Sequence, residues 1–290
     1  MFSVLNDYYQ LTKPRIMLLV VFSGVTALFV QGDLNTHPWK FLLVILGLFL
    51  AGGSANALNQ YFEREIDSKM SRTSKRRPLP QGKINATGAF IFSISIGLLG
   101  VGVFAIFFNI LSALLALGTI LFYSLFYTLL LKPNTPQNIV IGGVAGSMPP
   151  LIAWAAATDS IAAWPPWILF LIIFFWTPPH FWALALFYKE DYKKAQLPMM
   201  PVIKGEEHTL RQIFIYTLIL VGITLTMIAA EKGVWIYMVV SLVLGAVFIK
   251  KAYDTKKFKT AKLEKKLFGF SLVYLFALFF AIIIDSFIFR

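Results

Sequence analysis

Nine apolar stretches, each close to twenty residues long, follow one another along this chain at 15–32, 39–61, 85–107, 110–131, 138–157, 164–187, 212–230, 234–252 and 267–288. A helix needs about 20 mostly apolar residues to cross the hydrocarbon core of a bilayer. The expected fold class is therefore all-α, a polytopic membrane protein of about nine transmembrane helices forming one domain over residues 1–290. Local punctuation agrees. Pro14 falls where a first helical turn tolerates proline, Asn109 divides two apolar runs, Pro133 and Pro136 stop the fourth, and Pro165 and Pro166 start the sixth.

Composition excludes a water-soluble globule. Soluble domains are about half apolar and a quarter charged, whereas this chain is 58% hydrophobic and 14% charged, with a mean hydropathy of +0.73. The absence of cysteine removes disulfide frameworks and thiolate metal sites. The first residues, MFSVLNDYYQLTKPR, lack the basic, apolar, small-residue order of a cleaved signal peptide. The first apolar segment is thus expected to remain as a helix.

A net charge of +12 would suit nucleic acid only if the basic residues shared a soluble face. They lie instead in short loops between the apolar segments. With nine crossings, 23 of the 26 Lys and Arg fall on one side, and only Lys40, Lys232 and Arg290 fall on the other. The positive-inside rule makes the rich side cytoplasmic. The expectation is a multi-pass protein of a bacterial or archaeal plasma membrane, surrounded by lipid, with its N-terminus inside and no nucleic-acid partner. The lysine-rich stretch 250–266 has only Asp254 and Glu264 as acids and reads as a topogenic, lipid-facing loop.

The end of the second segment, GGSANALNQYFEREIDSKMSRTSKRRPLPQGKI, carries more specific chemistry. Asn56, Asn59, Glu63 and Asp67 are spaced three, four and four, so a continuing helix places them on one face. Grouped oxygen donors suit Mg²⁺, which usually keeps waters and completes its shell with substrate phosphate oxygens. Arg72, Lys75, Arg76 and Arg77 follow and can meet further phosphate charge. A solvated helix end with Glu and Arg paired at four-residue spacing would carry the same charges. The asparagines and the small-residue run GGSANA favour a diphosphate site. Breaking an allylic C–O bond there would send charge onto a leaving group that metal and basic residues neutralise. An apolar cavity among the helices, opening to the cytoplasmic side, would hold the isoprenoid tail and exclude water.

A second constellation lies in FFWTPPHFWALALFYKEDYKKAQLPMMPV. His180 follows two prolines inside an apolar segment, where an ionisable group is a functional candidate by default. It can equally hydrogen-bond to a neighbouring helix. Asp191 and Tyr192 sit at the inside boundary, where Asp191 can supply a further metal ligand and both can make phosphate contacts opposite Asp67. Tyr127 and Lys132 close the fourth segment on the same side. Lys132 serves either as a phosphate contact or as a snorkelling anchor. Gly142, Gly143 and Gly146 permit close helix approach, and Pro149 with Pro150 would open the fifth segment.

Together these motifs resemble the UbiA-type intramembrane prenyltransferases, and within them the haem-modifying branch, over nearly the whole chain. The family's N-x3-D-x3-D motif matches Asn59, Glu63 and Asp67, with Glu63 in place of the usual Asp. M-x-R-T matches Met70, Arg72 and Thr73; YT-x3-K matches Tyr127 to Lys132; NIVIGG and PP match Asn138 to Gly143 and Pro149 with Pro150. Pro133 stands where a second basic residue often follows the lysine. The block PHFWAL…DY…A…PMMPV separates this branch from quinone prenyltransferases, whose second D-x3-D pair is here Asp191 followed by Ala195.

The resemblance implies Mg²⁺ as cofactor and farnesyl diphosphate and haem B as substrates. Asn59, Glu63, Asp67 and Asp191 would be catalytic and metal-binding. Asn56, Arg72, Lys75, Arg76, Tyr127, Lys132, His180 and Tyr192 would contact substrate, His180 on the haem side. Homo-oligomerisation and contact with a downstream haem enzyme are compatible with this reading. Two alternatives stay open: prenylation of an aromatic quinone precursor, and a transporter. The missing second aspartate pair weighs against the first, and acids at a membrane boundary instead of mid-membrane weigh against the second.

Overall fold

A computed structural model describes residues 2–289; the side chains of Phe2, Ser3 and Arg72 are outside that description. The described chain is helical. In order come α1 (Phe2–Leu11), α2 (Pro14–Gln31), a 3-10 turn at Asp33–Thr36, α3 (Pro38–Lys69), the short α4 (Ser71–Ser74), α5 (Ala86–Phe107) and α6 (Ile110–Leu121). α6 continues into a π-helical segment, Phe122–Leu131, and then α7 (Lys132–Asn134). Next are α8 (Asn138–Ser147), α9 (Pro149–Thr158), α10 (Trp164–Phe187), α11 (Lys189–Lys194), α12 (Met200–Ile203), α13 (Gly205–Ala230), α14 (Trp235–Phe258) and α15 (Ala261–Ile288).

Nine helices or helix pairs among the described residues are long and apolar enough to cross a membrane, and they match the nine segments of the sequence. The punctuation acts as expected. Pro14, Pro165 and Pro166 lie in first turns. Asn109 caps α6 by accepting the Ser112 amide at 2.9 Å, and its own amide reaches the Ala155 carbonyl of α9 at 2.7 Å. Pro149 and Pro150 separate α8 from α9 by one residue, Met148.

The largest departures lie on the basic face, where the helices outrun their apolar stretches. α3 continues to Lys69 instead of stopping near 61, adding about 12 Å at 1.5 Å per residue. α13 begins at Gly205, α14 runs to Phe258 and α15 starts at Ala261. The expected lysine-rich loop is thus two helix ends joined at Lys259 and Thr260. Lys259 turns the chain in the left-handed region (φ 47°), and the Thr260 hydroxyl caps α15. Hydropathy ends where hydrocarbon ends, but backbone hydrogen bonding continues into water through good helix formers such as Lys and Glu.

The bundle closes on itself. α3 packs on α2 and α5, α2 on α9 and α15, α10 on α8, α13 and α15, and α14 on α13 and α15. Within the spans, 67% of α8–α9 and 61% of α10 are buried, against 28% of α5 and of α14, so the former line the centre and the latter face lipid. Two open apolar grooves, of about 330 and 510 Å³, lie between α1, α2 and α3 (Tyr9, Met17, Phe49) and along the π-helical segment (Phe122, Leu125, Leu129). Neither is a central cavity.

Candidate active site

The polar face of α3 is the starting point. Helical periodicity stacks Asn56, Asn59, Glu63 and Asp67 on one side, and all four are buried. A buried carboxylate is tolerable only with partners, and the partners come from three other parts of the chain. Glu63 accepts from the Lys132 ammonium at 2.5 Å and from Arg77 at 3.4 Å. Asp67 accepts from the same Arg77 guanidinium. The Asn59 carbonyl oxygen accepts from Lys13 Nζ at 2.8 Å, while its amide donates to the Thr128 hydroxyl at 3.0 Å. Two acids and three cations thus share one compact site.

Local structure explains each approach. α4 and the turn after it fold back on α3, because the Thr73 hydroxyl donates to the Asp67 carbonyl at 2.7 Å and the Arg77 amide bonds to Thr73. Lys132 follows the π-helical segment, in which the Thr128 hydroxyl donates to the Tyr123 carbonyl, five residues back, at 2.8 Å. Such widened turns gather at functional sites. Tyr127 is half-buried and stacks on Tyr123 with ring centroids 5.2 Å apart. Its ring lies against Gly142 of α8, where a Cβ would collide with it. Gly143 lies close to Thr177 of α10, whereas Gly146 faces open space.

Charge states follow from these surroundings. Burial opposes the Arg77 guanidinium, but Asp67 and Glu63 together hold its pKa above the ordinary arginine value. Burial, then Arg77 and Lys132, push the Lys13 ammonium well below the usual lysine range, against the opposing pull of Glu63 and Asp67.

The second constellation divides in two. Asp191 accepts from the Ser71 hydroxyl at 2.6 Å, which ties α11 to α4, four residues beyond Asp67. Tyr192 is buried in the main hydrophobic core. His180 is buried on α10, stacked between Trp176 and Phe268 with centroids 4.2 and 4.5 Å away. Its Nδ1 lies 2.7 Å from the Ser271 hydroxyl of α15. That hydroxyl donates its own proton to the Phe268 carbonyl at 2.6 Å. Nδ1 is therefore the donor, and neutral His180 keeps Nε2 as its unprotonated nitrogen.

A family model described as the UbiA prenyltransferase family matches residues 18–283. The chain belongs to this family. Relatives agree over almost the whole length. Proteins named protoheme IX farnesyltransferase from Rippkaea orientalis and Gloeobacter violaceus are 46% and 47% identical, each over 98% of this chain and 88% and 93% of their own. Among solved structures, a digeranylgeranylglyceryl phosphate synthase superposes with a TM-score of 0.78 at 22% identity, covering 98% of this chain and 99% of that one. A UbiA homolog from Archaeoglobus fulgidus bound to GPP and Mg²⁺ gives 0.61 at 18%, covering 95% and 99%. These structural likenesses establish the UbiA fold.

The structure brings some of the residues of the sequence reading together and leaves others apart. Lys75 and Arg76 point outward and are exposed, while Arg77 takes the place expected of them. The Arg72 side chain lies outside the described residues. Asn56 turns to α2, its amide 3.4 Å from Met17 Sδ. Among the described residues no three His, Asp or Glu side chains gather to hold one ion, so Asp191 is not brought into a common ligand set with Glu63 and Asp67. The oxygens of Asn59, Glu63 and Asp67 still fit Mg²⁺, a hard ion that takes one or two carboxylates and fills its shell with water and phosphate. Lys13 and Thr128 were not legible as site residues. Lys13 counts equally well as a topology marker, and Thr128 enters only because the π-helical segment turns it towards Asn59.

Proposed function

We propose that this UbiA prenyltransferase transfers the farnesyl group of farnesyl diphosphate to a vinyl group of haem B, giving haem O and diphosphate. The buried Asn59–Glu63–Asp67 face, ringed by Lys132 and Arg77, supports the diphosphate half of that reaction. The acceptor is argued from the relatives at 46–47% identity. Mg²⁺ held by Asn59, Glu63 and Asp67 supplies electrostatic stabilisation of the leaving group. Lys132 and Arg77 turn from the carboxylates to phosphate oxygens. Asp191, tied to α4 through Ser71, would supply a further oxygen ligand to Mg²⁺ bound with the diphosphate.

The allylic C–O bond breaks and its electron pair departs with the diphosphate. The vinyl π electrons then form the new C–C bond to the allylic carbon. Water adds to the resulting cation and loses a proton, leaving a hydroxyethylfarnesyl side chain. The apolar walls of the bundle hold the farnesyl tail and keep water from the allylic cation. Tyr127, stacked on Tyr123 in the segment that ends at Lys132, would contact the substrate. His180 presents Nε2 to haem iron, with Ser271 fixing its tautomer in the way outer partners orient metal-bound histidines. The basic face is cytoplasmic by the positive-inside rule, so farnesyl diphosphate enters from that side.

The test is a product mass. Solubilised protein supplied with haem B, farnesyl diphosphate and Mg²⁺ is expected to give haem that has gained one farnesyl group and one hydroxyl. Unchanged haem beside a prenylated aromatic quinone precursor overturns the acceptor. For His180, haem titration of His180→Ala is expected to lose the absorption signature of a nitrogen-ligated iron; an unaltered spectrum removes that role.

A further inference from the structure

Lys13 and Arg15 flank Pro14 at the start of the first span, and either would serve the positive-inside rule. Only Arg15 is exposed like a topology marker. Lys13 instead adopts left-handed backbone angles, φ 53° and ψ 62°, between α1 and α2. A non-glycine residue persists there only where its surroundings over-determine it. Two contacts from α3 do so. The Gln60 side-chain amide donates to the Leu11 and Gln10 carbonyls at 2.9 and 3.3 Å, gripping the C-terminal end of α1. Thr12 packs against Gly53, with its Cβ 3.2 Å from where a Cβ on that glycine would stand. Gln60 is 1% exposed, and its own carbonyl oxygen has no hydrogen-bond partner. A buried polar atom left unpaired is costly, so the orientation of Gln60 is set by its hold on α1. Its neighbour in sequence, Asn59, receives the Lys13 ammonium at 2.8 Å. Consecutive residues of α3 therefore hold the end of α1 and the lysine that follows it.

We propose that Lys13 is a further diphosphate-binding residue, its ammonium passing from the Asn59 carbonyl oxygen to a phosphate oxygen of the allylic diphosphate, with Gln60 as the residue that positions it. This rests on the diphosphate reading of the Asn59–Glu63–Asp67 site. It carries a consequence of definite sign. Without substrate, Lys13 competes with a metal ion for Asn59, so its removal weakens diphosphate binding but does not weaken metal binding.

The experiment uses the intact protein in detergent, unreactive farnesyl thiodiphosphate as probe, and Mn²⁺ followed by electron paramagnetic resonance. Loss of one charge-assisted hydrogen bond corresponds to about tenfold in affinity. Lys13→Met is expected to weaken thiodiphosphate binding by about tenfold or more, with Mn²⁺ binding alone as tight as in the wild type or tighter. Lys13→Arg restores most of the loss, Gln60→Leu reproduces part of it, and Arg15→Met leaves it unchanged. Equal thiodiphosphate affinity in Lys13→Met and wild type overturns the proposal, as does an equal loss in Arg15→Met. Failure of the wild type to bind the probe with metal present overturns the diphosphate reading and this proposal with it. If Lys13→Met does not fold, Lys13→Gln decides: its thiodiphosphate affinity should fall by about tenfold while farnesol affinity stays constant, and no fall, or equal falls in both, overturns the proposal.

Discussion

Arg77 touches both Glu63 and Asp67, so each of these carboxylates depends on the other's partner as well as its own. Breaking a buried pair from one side typically costs about 3–5 kcal/mol because it leaves an uncompensated charge. Asp67→Asn is expected to cut Mg²⁺-dependent diphosphate release by about 10²-fold or more, and unchanged release in a folded variant removes Asp67 from the site. Chelation of divalent ions should stop release in the wild type, and added Mg²⁺ should restore it. Among the adjacent cations, Arg77→Ala should resemble Asp67→Asn. Lys75→Ala and Arg76→Ala, both at exposed positions, should stay within about threefold of wild type. This contrast also marks how far spacing is informative at the residue scale. The i, i+4 rule orders Asn59, Glu63 and Asp67 because they ride one helix. Residues 75–77 lie in a turn without a period, so nothing in RTSKRRP says which cation faces inward. The Glu63 substitution likewise becomes intelligible only in space, where the longer side chain reaches Lys132 and Arg77 together.

At the scale of elements, hydropathy located the spans well because burial in lipid is a property of about twenty residues at once. It could not reveal the π-helical segment, since a widened turn alters the direction of side chains without altering their polarity. That segment sets Tyr127 against Gly142 and brings Lys132 to Glu63. Gly142→Ala therefore pushes the Tyr127 ring away from α8. Misplacement by about 1 Å can cost up to about 10²-fold, so kcat/KM should fall between about 10- and 100-fold, with a thermal midpoint lowered by the over-packing. The opposite end of the bundle offers a contrasting case. Both carboxylate oxygens of Asp285 on α15 accept backbone amides at the start of α14, Ile236 at 3.0 Å and Tyr237 at 2.8 Å. Asp285→Ala leaves those buried donors unmet at a cost of about 1–3 kcal/mol. Thermal denaturation should show a lower midpoint, while prenyl transfer per folded molecule is unchanged. Loss of specific activity would show that the two ends of the bundle are coupled.

For the whole molecule, the decisive quantity is the distribution of charge between two faces. The acidic cluster, α4, α11 and the Lys259–Thr260 turn share one face with most of the basic residues, whereas Asp33, Lys40, Lys232 and the capped start of α14 lie at the other. Each additional Lys or Arg near a span end biases insertion in the same sense, so the charge distribution predicts an orientation with the proposed diphosphate site on the cytoplasmic side. The absence of cysteine makes this directly measurable, because any introduced thiol is the sole one in the chain. Lys262→Cys and Lys83→Cys, both at exposed positions on the basic face, should react with a membrane-impermeant maleimide only in inverted vesicles or after permeabilisation. Asp33→Cys and Lys232→Cys, exposed at the opposite face, should react in intact cells. The reverse pattern would place the Asn59–Glu63–Asp67 site outside, where the substrate would have to arrive from the other compartment. Labelling of Lys262→Cys and Lys232→Cys from the same side would require an even number of crossings between them and α14 to stop short of spanning, which its 24 residues and 1.7 hydropathy argue against.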